Sequence, residues 1–388
     1  MKNGHSLCQK CILLDGFLGI HVNSQGYCDY CADPSYQNIN WSKVQITPLM
    51  KKERLIDWER TIAGMQSTHH EQEYDCVIGY SGGKDSTALV DTFITKYTLN
   101  PLLITIDTGF MTDIAKQNIQ DTLTKMKLHK NHLFIEGAIP TFTKLYQYYF
   151  THHISHERTL TVDICHYCTN LIHTILVKEA MNRDIPYVII GFSPDQIKYY
   201  FYETYKENIL KDGTPNEDFA HHLEDEDFRW YFNDLDSSKP IPREIYPYHV
   251  MDYNELEIIQ RIESKGLIAP GKGDPVLTNC HVVKAALMYD FFRYGGITYA
   301  LQYAELVRQQ QDVQLWKVLR KKWLRTMIQV SQAISNGVFD KKGIEMFLNK
   351  IGVSELDLKK IICSLKASDP NRQQITHNIE LIKNKKLT

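Results

Sequence analysis

The sequence predicts an α/β protein: a central domain built on a parallel sheet, with a cysteine ribbon before it and a helical region after it. Three observations predict this. Between residues 74 and 191, short apolar runs alternate with helix-length segments, the pattern of right-handed βαβ crossovers. Two Cys-x-x-Cys pairs stand near the N-terminus. From residue 283 onward the pattern is helical. The expected segmentation is 1–40 for the ribbon, 41–300 for the sheet domain and 301–388 for the helical region.

The ribbon comes first. Cys8-x2-Cys11 and Cys28-x2-Cys31 are separated by sixteen residues. Each pair sits on a tight turn that points two thiolates at one site, and four thiolates give tetrahedral zinc coordination closed to substrate. Gly16, Gly19 and Gly26 suit the turns of a ribbon. A segment this short cannot fold on its apolar core alone, so the Zn²⁺ is expected to be structural.

Residues 36–70 read as a linker that becomes helical around Leu55-Ile56-Asp57-Trp58. The alternating elements follow. Strands are expected at 76–79, 102–107, 132–135 and 186–191, and helices at 86–97, 113–126 and 166–182. Residues 203–244 break the alternation. They are acidic and aromatic (Glu224-Asp225-Glu226-Asp227, Phe228, Trp230, Tyr231, Phe232) and read as an insertion, either a lid or a solvated flap. Of the nine cysteines, Cys76 and Cys363 fall in apolar segments and read as core residues.

The run Tyr80-Ser81-Gly82-Gly83-Lys84-Asp85-Ser86 lies between a strand and a helix. Adjacent glycines let the backbone turn where a side chain would clash. A helix N-terminus aims N–H groups and a favourable dipole at an anion. Ser81 and Ser86 add hydroxyls and Lys84 adds a cation, so the run reads as a phosphate cradle. It is not the Walker loop, which has four residues between its glycines and ends Gly-Lys-Ser/Thr.

The order Ser-Gly-Gly-Lys-Asp-Ser resembles the PP-loop of the ATP pyrophosphatase family, whose domain is HUP-like. The resemblance implies that ATP is split between its α- and β-phosphates, with adenylylation of a substrate oxygen and release of pyrophosphate. It implies that the loop residues Tyr80–Ser86 hold the phosphates, and that Asp107 and Thr108, at the end of the second strand, contact adenine or ribose. Gly191 and Asp195 match that family's Gly-His-x-x-Asp-Asp element, although Phe192 stands in place of its histidine and Gln196 in place of its second aspartate. Asp85 and Asp195 are candidates for Mg²⁺, since hard cations take carboxylate oxygens; Asp195 serves equally well as a helix cap. Lys84 would stabilise the charge that grows on departing pyrophosphate.

A second cysteine group, Cys165-His166-Tyr167-Cys168 at a helix start and Cys280 just before a later helix, is similar to that of the PP-loop tRNA thiolation enzymes. There, three cysteines hold a [4Fe–4S] cluster that carries sulfur to an activated base, and thiolate ligation fits that chemistry. Read from the residues alone, an inert helix start, a redox pair and a zinc site with His166 or His281 all stay open. The stretch from Cys8 to Cys31 also resembles the N-terminus of bacterial N-acetyl sugar amidotransferases, which take ammonia from a glutaminase partner.

Composition bounds the rest. The chain of 388 residues has a net charge of −2, so no global basic field marks it for nucleic acid. No apolar run approaches the ~18 residues of a membrane span, and no leader pattern opens the chain, so a cytoplasmic protein is expected. Trp316–Arg325 reads as an amphipathic helix with a solvated cationic face, or as an RNA contact in an adaptor whose loop is vestigial. The first functional expectation is an ATP-dependent sulfurtransferase. It would replace a carbonyl oxygen of a small, nucleobase-like molecule or a tRNA base with sulfur, drawing on a donor such as a cysteine desulfurase. A homodimer is left open. Near-neutral charge and the lack of a second, C-terminal ribbon favour the small molecule. The alternative is the ammonia-using amidotransferase.

Overall fold

The computed structural model describes residues 6–33, 47–69, 72–155, 157–193, 202–233, 239–273, 280–310 and 312–384. Among them are six strands: β1 Val77–Gly79, β2 Leu102–Ile106, β3 His132–Ile135, β4 Tyr187–Ile189, β5 Glu203–Thr204 and β6 Arg243–Ile245. The longer helices are α1 Pro48–Thr68, α2 Lys84–Thr95, α3 Asp113–Met126, α4 Ile139–His152, α5 Leu160–Asn182, α6 Glu255–Ser264, α7 His281–Tyr294, α8 Tyr299–Gln309, α9 Val313–Ser335, α10 Lys341–Lys350, α11 Glu355–Ala367 and α12 Arg372–Lys383. None of them is long and apolar enough to cross a membrane. The protein is mixed α/β with a mostly parallel sheet.

The strands order as β3-β2-β1-β4-β6-β5; every pairing is parallel except that of β5 with β6. The chain crosses from one side of β1 to the other between β3 and β4, which makes the gap beyond the ends of β1 and β4 the switch point where ligands of open α/β sheets bind. β2 is buried along its whole length, as expected of a Leu/Ile/Thr run covered on both faces. Thr112 caps α3 by accepting the Ala115 N–H, and Lys127, at φ 58°, ends it.

The chain divides into two units. The first to be built around the sheet comprises Gln45–Lys144 and Tyr167–Cys280. Its core joins Trp58 and Ile62 of α1, Leu89 and Phe93 of α2, Ile78, Leu103 and Ile245 of the strands, and Ile258 and Ile262 of α6. Trp58 lies 6.0 Å from Phe93 and 6.2 Å from Tyr97 between ring centres. Arg243 fastens the sheet edge, donating to Glu203 on β5 at 2.6 Å and to Asp57 on α1 at 2.8 Å. The described part of 203–244 is docked on the sheet unit rather than a free flap. It holds β5, the start of β6 and the short helices Lys206–Asp212, Glu217–Ala220 and Asp225–Phe228. Asp227 is buried, accepting from Thr141 at 2.6 Å and pairing with Lys144 at 2.7 Å, while Lys178 donates to the carbonyls of Arg229 and Tyr231.

The other unit comprises Met1–Val44, Leu145–His166 and His281–Thr388. Helix α7 is its buried centre. Arg293 on it is 1% exposed and pairs with Asp369 at 2.6 Å, the partner that a buried guanidinium requires. Asp290, also on α7, explains why α5 begins at Leu160 and not at 166. Its carboxylate accepts the N–H of Leu160 at 2.9 Å and of Thr161 at 3.3 Å, so a residue 130 positions away caps the helix. Cys165 therefore lies inside α5 and does not open it. Cys76 is fully buried, as expected, but Cys363 is exposed on α11.

Two histidines of the sheet unit couple stability to pH. Burial lowers the pKa of His132 to about 4, and burial with the nearby Arg54 charge does the same to His249. The unfolded chain protonates these rings near 6.5, so between pH 6.5 and 4 it binds more protons than the folded state. Stability should fall as pH is lowered across that window. Urea unfolding at pH 7.5 and 5 is expected to show a midpoint drop that shrinks in His132→Gln.

Candidate functional site

The turn after β1 is fixed by close approach. Gly82 has φ 73°, and a Cβ there would meet the Ala115 carbonyl oxygen at 2.5 Å. Asn118 of α3 donates to the Gly82 carbonyl at 3.0 Å, so α3 holds the turn from outside. Gly83 is the N-cap of α2, extended at φ −79° and ψ 163°, with no side-chain cap on the helix. The serines face each other: Ser81 Oγ and Ser86 Oγ are 3.2 Å apart, and the Gly83 N–H reaches Ser81 Oγ at 3.4 Å. Gly191, just beyond β4, closes the other side of the switch point. A Cβ at Gly191 would lie 3.1 Å from the backbone N and Cα of Ser86.

Lys84 is the chemical centre of this turn. It is 6% exposed, and its Nζ pairs with Asp85 Oδ2 at 2.6 Å and lies 3.4 Å from Glu255 Oε1. It also donates to the Tyr253 hydroxyl at 3.0 Å, and that hydroxyl donates to Asp85 Oδ1 at 3.0 Å. Tyr248 donates to the Asp85 carbonyl at 2.8 Å. Burial pulls the Lys84 pKa down, but the Asp85 carboxylate and Tyr253 outweigh it and leave the ammonium above the ordinary lysine range. The turn thus offers a permanent cation, two hydroxyls and a helix N-terminus at the carboxyl edge of a parallel sheet. Such an edge can bind an anion.

Around it, Asp107 and Thr108 are buried at the end of β2. Asp107 spends its oxygens on the Gly109 N–H at 2.7 Å and on Lys116 at 3.3 Å. Asp195 lies outside the described residues. Around β6 the structure assembles a group the sequence did not reveal. Glu244, 2% exposed, accepts from Thr204 at 2.6 Å and from Tyr246, and pairs with His173 of α5 at 3.3 Å. Burial would raise the Glu244 pKa, but His173 and these hydroxyls hold it down to about 2. Phe192 stacks on Tyr246 at 6.1 Å between ring centres. No local signal marks Tyr253, Tyr248 or this group, because Asp85 lies far from the two tyrosines, and His173 and Thr204 far from Glu244, in sequence.

The second constellation is the ribbon. Among the described residues, Cys8, Cys11, Cys28 and Cys31 bring their sulfurs within 4.8 Å of one another, and all four are buried, so they could hold a metal ion. Metal–sulfur bonds of about 2.3 Å in a tetrahedron space sulfurs roughly 3.8 Å apart; Cys11 and Cys28 are 3.6 Å apart. The Cys11 and Cys28 N–H groups point at Cys8 Sγ at 3.4 and 3.3 Å, a geometry that favours thiolate. Hydrogen bonds among the four sulfurs lower the Cys8 and Cys11 thiols and raise those of Cys28 and Cys31.

Helix α9 takes the outside of the ribbon. Arg320 donates to the carbonyls of Cys11 at 2.9 Å and Cys8 at 3.1 Å, and Trp316 Nε1 donates to that of Lys10 at 3.0 Å. Trp323 stacks on Tyr303 at 4.3 Å. Both tryptophans and one arginine of the 316–325 stretch are thus used in internal contacts. Cys165 and Cys168 are half-buried, three positions apart on α5; Cys280 is half-buried beside the start of α7. Burial raises the phenol pKa of Tyr231, with Asp227 and Cys168 adding to it.

No family model matches the chain. An uncharacterized protein of Methanocaldococcus jannaschii is 35% identical over 63 residues, which is 16% of this chain and 22% of that protein. The similarity thus covers well under two thirds of either protein.

Two outcomes are expected. Gly82→Ala forces a side chain into left-handed backbone, which costs about 1–2 kcal/mol, and into the Ala115 carbonyl; denaturant unfolding should show a larger loss than that conformational term alone. Cys28→Ser, or dialysis against a strong chelator, should strip the ribbon of metal by elemental analysis and lower the melting temperature.

Proposed function

We propose that this chain is an ATP-dependent transferase of the PP-loop kind, one that adenylylates a carbonyl or amide oxygen and then replaces it. The observation that carries the reading is the buried Lys84 ammonium, set with Ser81, Gly83 and Ser86 around the N-terminus of α2 at the switch point of the sheet. In this reading an acceptor oxygen attacks the α-phosphorus of ATP. The bond to the bridging oxygen breaks, and pyrophosphate leaves with the electron pair. Lys84 and the N–H groups of the turn stabilise the charge that grows on it. An incoming nucleophile then adds to the activated carbon, and AMP departs with the original oxygen. Mg²⁺ would rest on Asp85 and Asp195. The Asp85 oxygens accept from Lys84 and Tyr253, and hard cations take carboxylate oxygens of this kind. Asp107, Thr108 and Gly191 would face the nucleoside. The ribbon cysteines would hold structural Zn²⁺.

Sulfur is the first choice for the incoming group. Cys165 and Cys168, at i and i+3 on α5, present two soft donors to one side of the helix. With Cys280 they would hold a [4Fe–4S] cluster, which supplies sulfur when bound, and a small nucleobase-like acceptor or a tRNA base would receive it. A specific observation favours a second reading, ammonia transfer to an N-acetyl sugar with a partner glutaminase. The tightly gathered cysteines are those of the ribbon, the stretch that resembles the amidotransferases.

Calorimetry with Mg²⁺ and α,β-methylene-ATP tests the common step: binding by the wild type and its loss, tenfold or more by the weight of a charged hydrogen bond, in Lys84→Ala. A wild type that does not bind refutes the reading. Iron and sulfide analysis after anaerobic purification decides the nucleophile. Iron lost in Cys165→Ser supports sulfur, and iron-free protein that consumes ATP with ammonia supports nitrogen.

A further inference from the structure

Lys84 makes more contacts than phosphate binding alone calls for. Its ammonium meets Asp85 Oδ2 at 2.6 Å, the Tyr253 hydroxyl at 3.0 Å and Glu255 Oε1 at 3.4 Å. These partners differ in kind. Asp85 is the neighbouring residue and buried with Lys84. Tyr253 bridges the pair, since the same hydroxyl reaches Asp85 Oδ1 at 3.0 Å, and its ring is set edge-on against Tyr248 at 5.2 Å. Tyr248 in turn holds the Asp85 carbonyl. The Tyr253 bridge is thus braced from two sides and is part of the frame. Glu255 is different: its side chain is 43% exposed, it stands in the first turn of α6, and it touches Lys84 at the longest of the three distances.

We propose that Tyr253 is a positioning residue that holds the Lys84 ammonium and the Asp85 carboxylate as one unit, and that Glu255 occupies the place on Lys84 that a phosphate oxygen takes when nucleotide binds. The inference rests on the nucleotide reading above and deepens it. A carboxylate oxygen and a phosphate oxygen are interchangeable acceptors for an ammonium. The exposed acceptor can swing into water, where its charge is solvated, whereas Asp85 and Tyr253 cannot leave without stranding a buried cation. Glu255 therefore competes with the triphosphate, and Tyr253 fixes where Lys84 points once Glu255 has gone. Pyrophosphate, the leaving group, should meet the same competition as the substrate.

The test uses the full chain, Mg²⁺, and two probes measured by calorimetry, α,β-methylene-ATP and inorganic pyrophosphate. Glu255→Gln keeps the size and removes the charge, and it should bind both probes several-fold more tightly than the wild type. Tyr253→Phe keeps the ring against Tyr248 and loses only the bridge, and it should bind both about tenfold more weakly. Equal melting temperatures for the three proteins would exclude a loss of folding as the cause. A merely structural Glu255 would leave affinity unchanged or weaken it. If the wild type binds the ATP analogue and both variants match it, the inference fails while the nucleotide reading stands. If the wild type binds neither probe, both fail together.

Discussion

A lysine ammonium withdrawn from water at the end of a parallel strand dictates the arrangement around it. Isolated, such a charge would lose its proton or pull the turn open to solvent. Asp85 supplies the counter-charge from the next position, and Tyr253 binds both. That bridge draws the chain around residues 248–255 against the first turn of α2, and it places α6 alongside, where Ile258 and Ile262 join the same apolar core as Leu89 and Phe93. Glycines at 82 and 191 let α3 and the end of β4 come close enough to leave the pair little exposed. The charge thus stays at the carboxyl edge of the sheet, beside the apolar core of the unit.

Much of this was legible in the chain. The run Ser81–Ser86 announces a strand–turn–helix with its glycines and its cation because those properties are local. The helix Asp113–Met126 and the strand His132–Ile135 fell where the pattern of apolar residues put them. The cysteine spacing foretold the gathering of four sulfurs for a related reason, since metal ligation by paired turns depends on separation along the chain. What escaped was cooperative over long range. The start of α5 is set by Asp290, an acid with no signal near residue 160. Strand β6 carries only three residues, too few for any period to show, and β5 pairs with it from within an acidic stretch. Cys363 sits in an apolar run yet faces outward, because α11 is amphipathic and the cysteine occupies its polar side.

The same distinction separates the two parts of the candidate chemistry. The glycine turn after β1 is a property of one short segment, and most of its supports came to light only in three dimensions. Tyr248, Tyr253 and Asn118 are each ordinary residues in sequence, and of the close neighbours only Gly191 was marked there. The buried Glu244 is a further case, since His173 and Thr204 reach it from α5 and β5 and Tyr246 from just past β6. Alternation of apolar residues cannot foresee such meetings, because it reports which face of an element is inward and not what lies opposite.

The anchoring of the ribbon has a consequence for the order in which the protein is made. The carbonyls of Cys8 and Cys11 are satisfied by Arg320, 312 and 309 positions later. At a synthesis rate of ~5–20 residues per second, the first cysteines leave the ribosome roughly 15–60 s before their guanidinium partner exists. During that interval the nascent ribbon has no helix to lean on. Capture of an ion by its four thiols is what can keep those turns formed, and the thiols guarded from oxidation, until the rest of the polypeptide arrives to cover them.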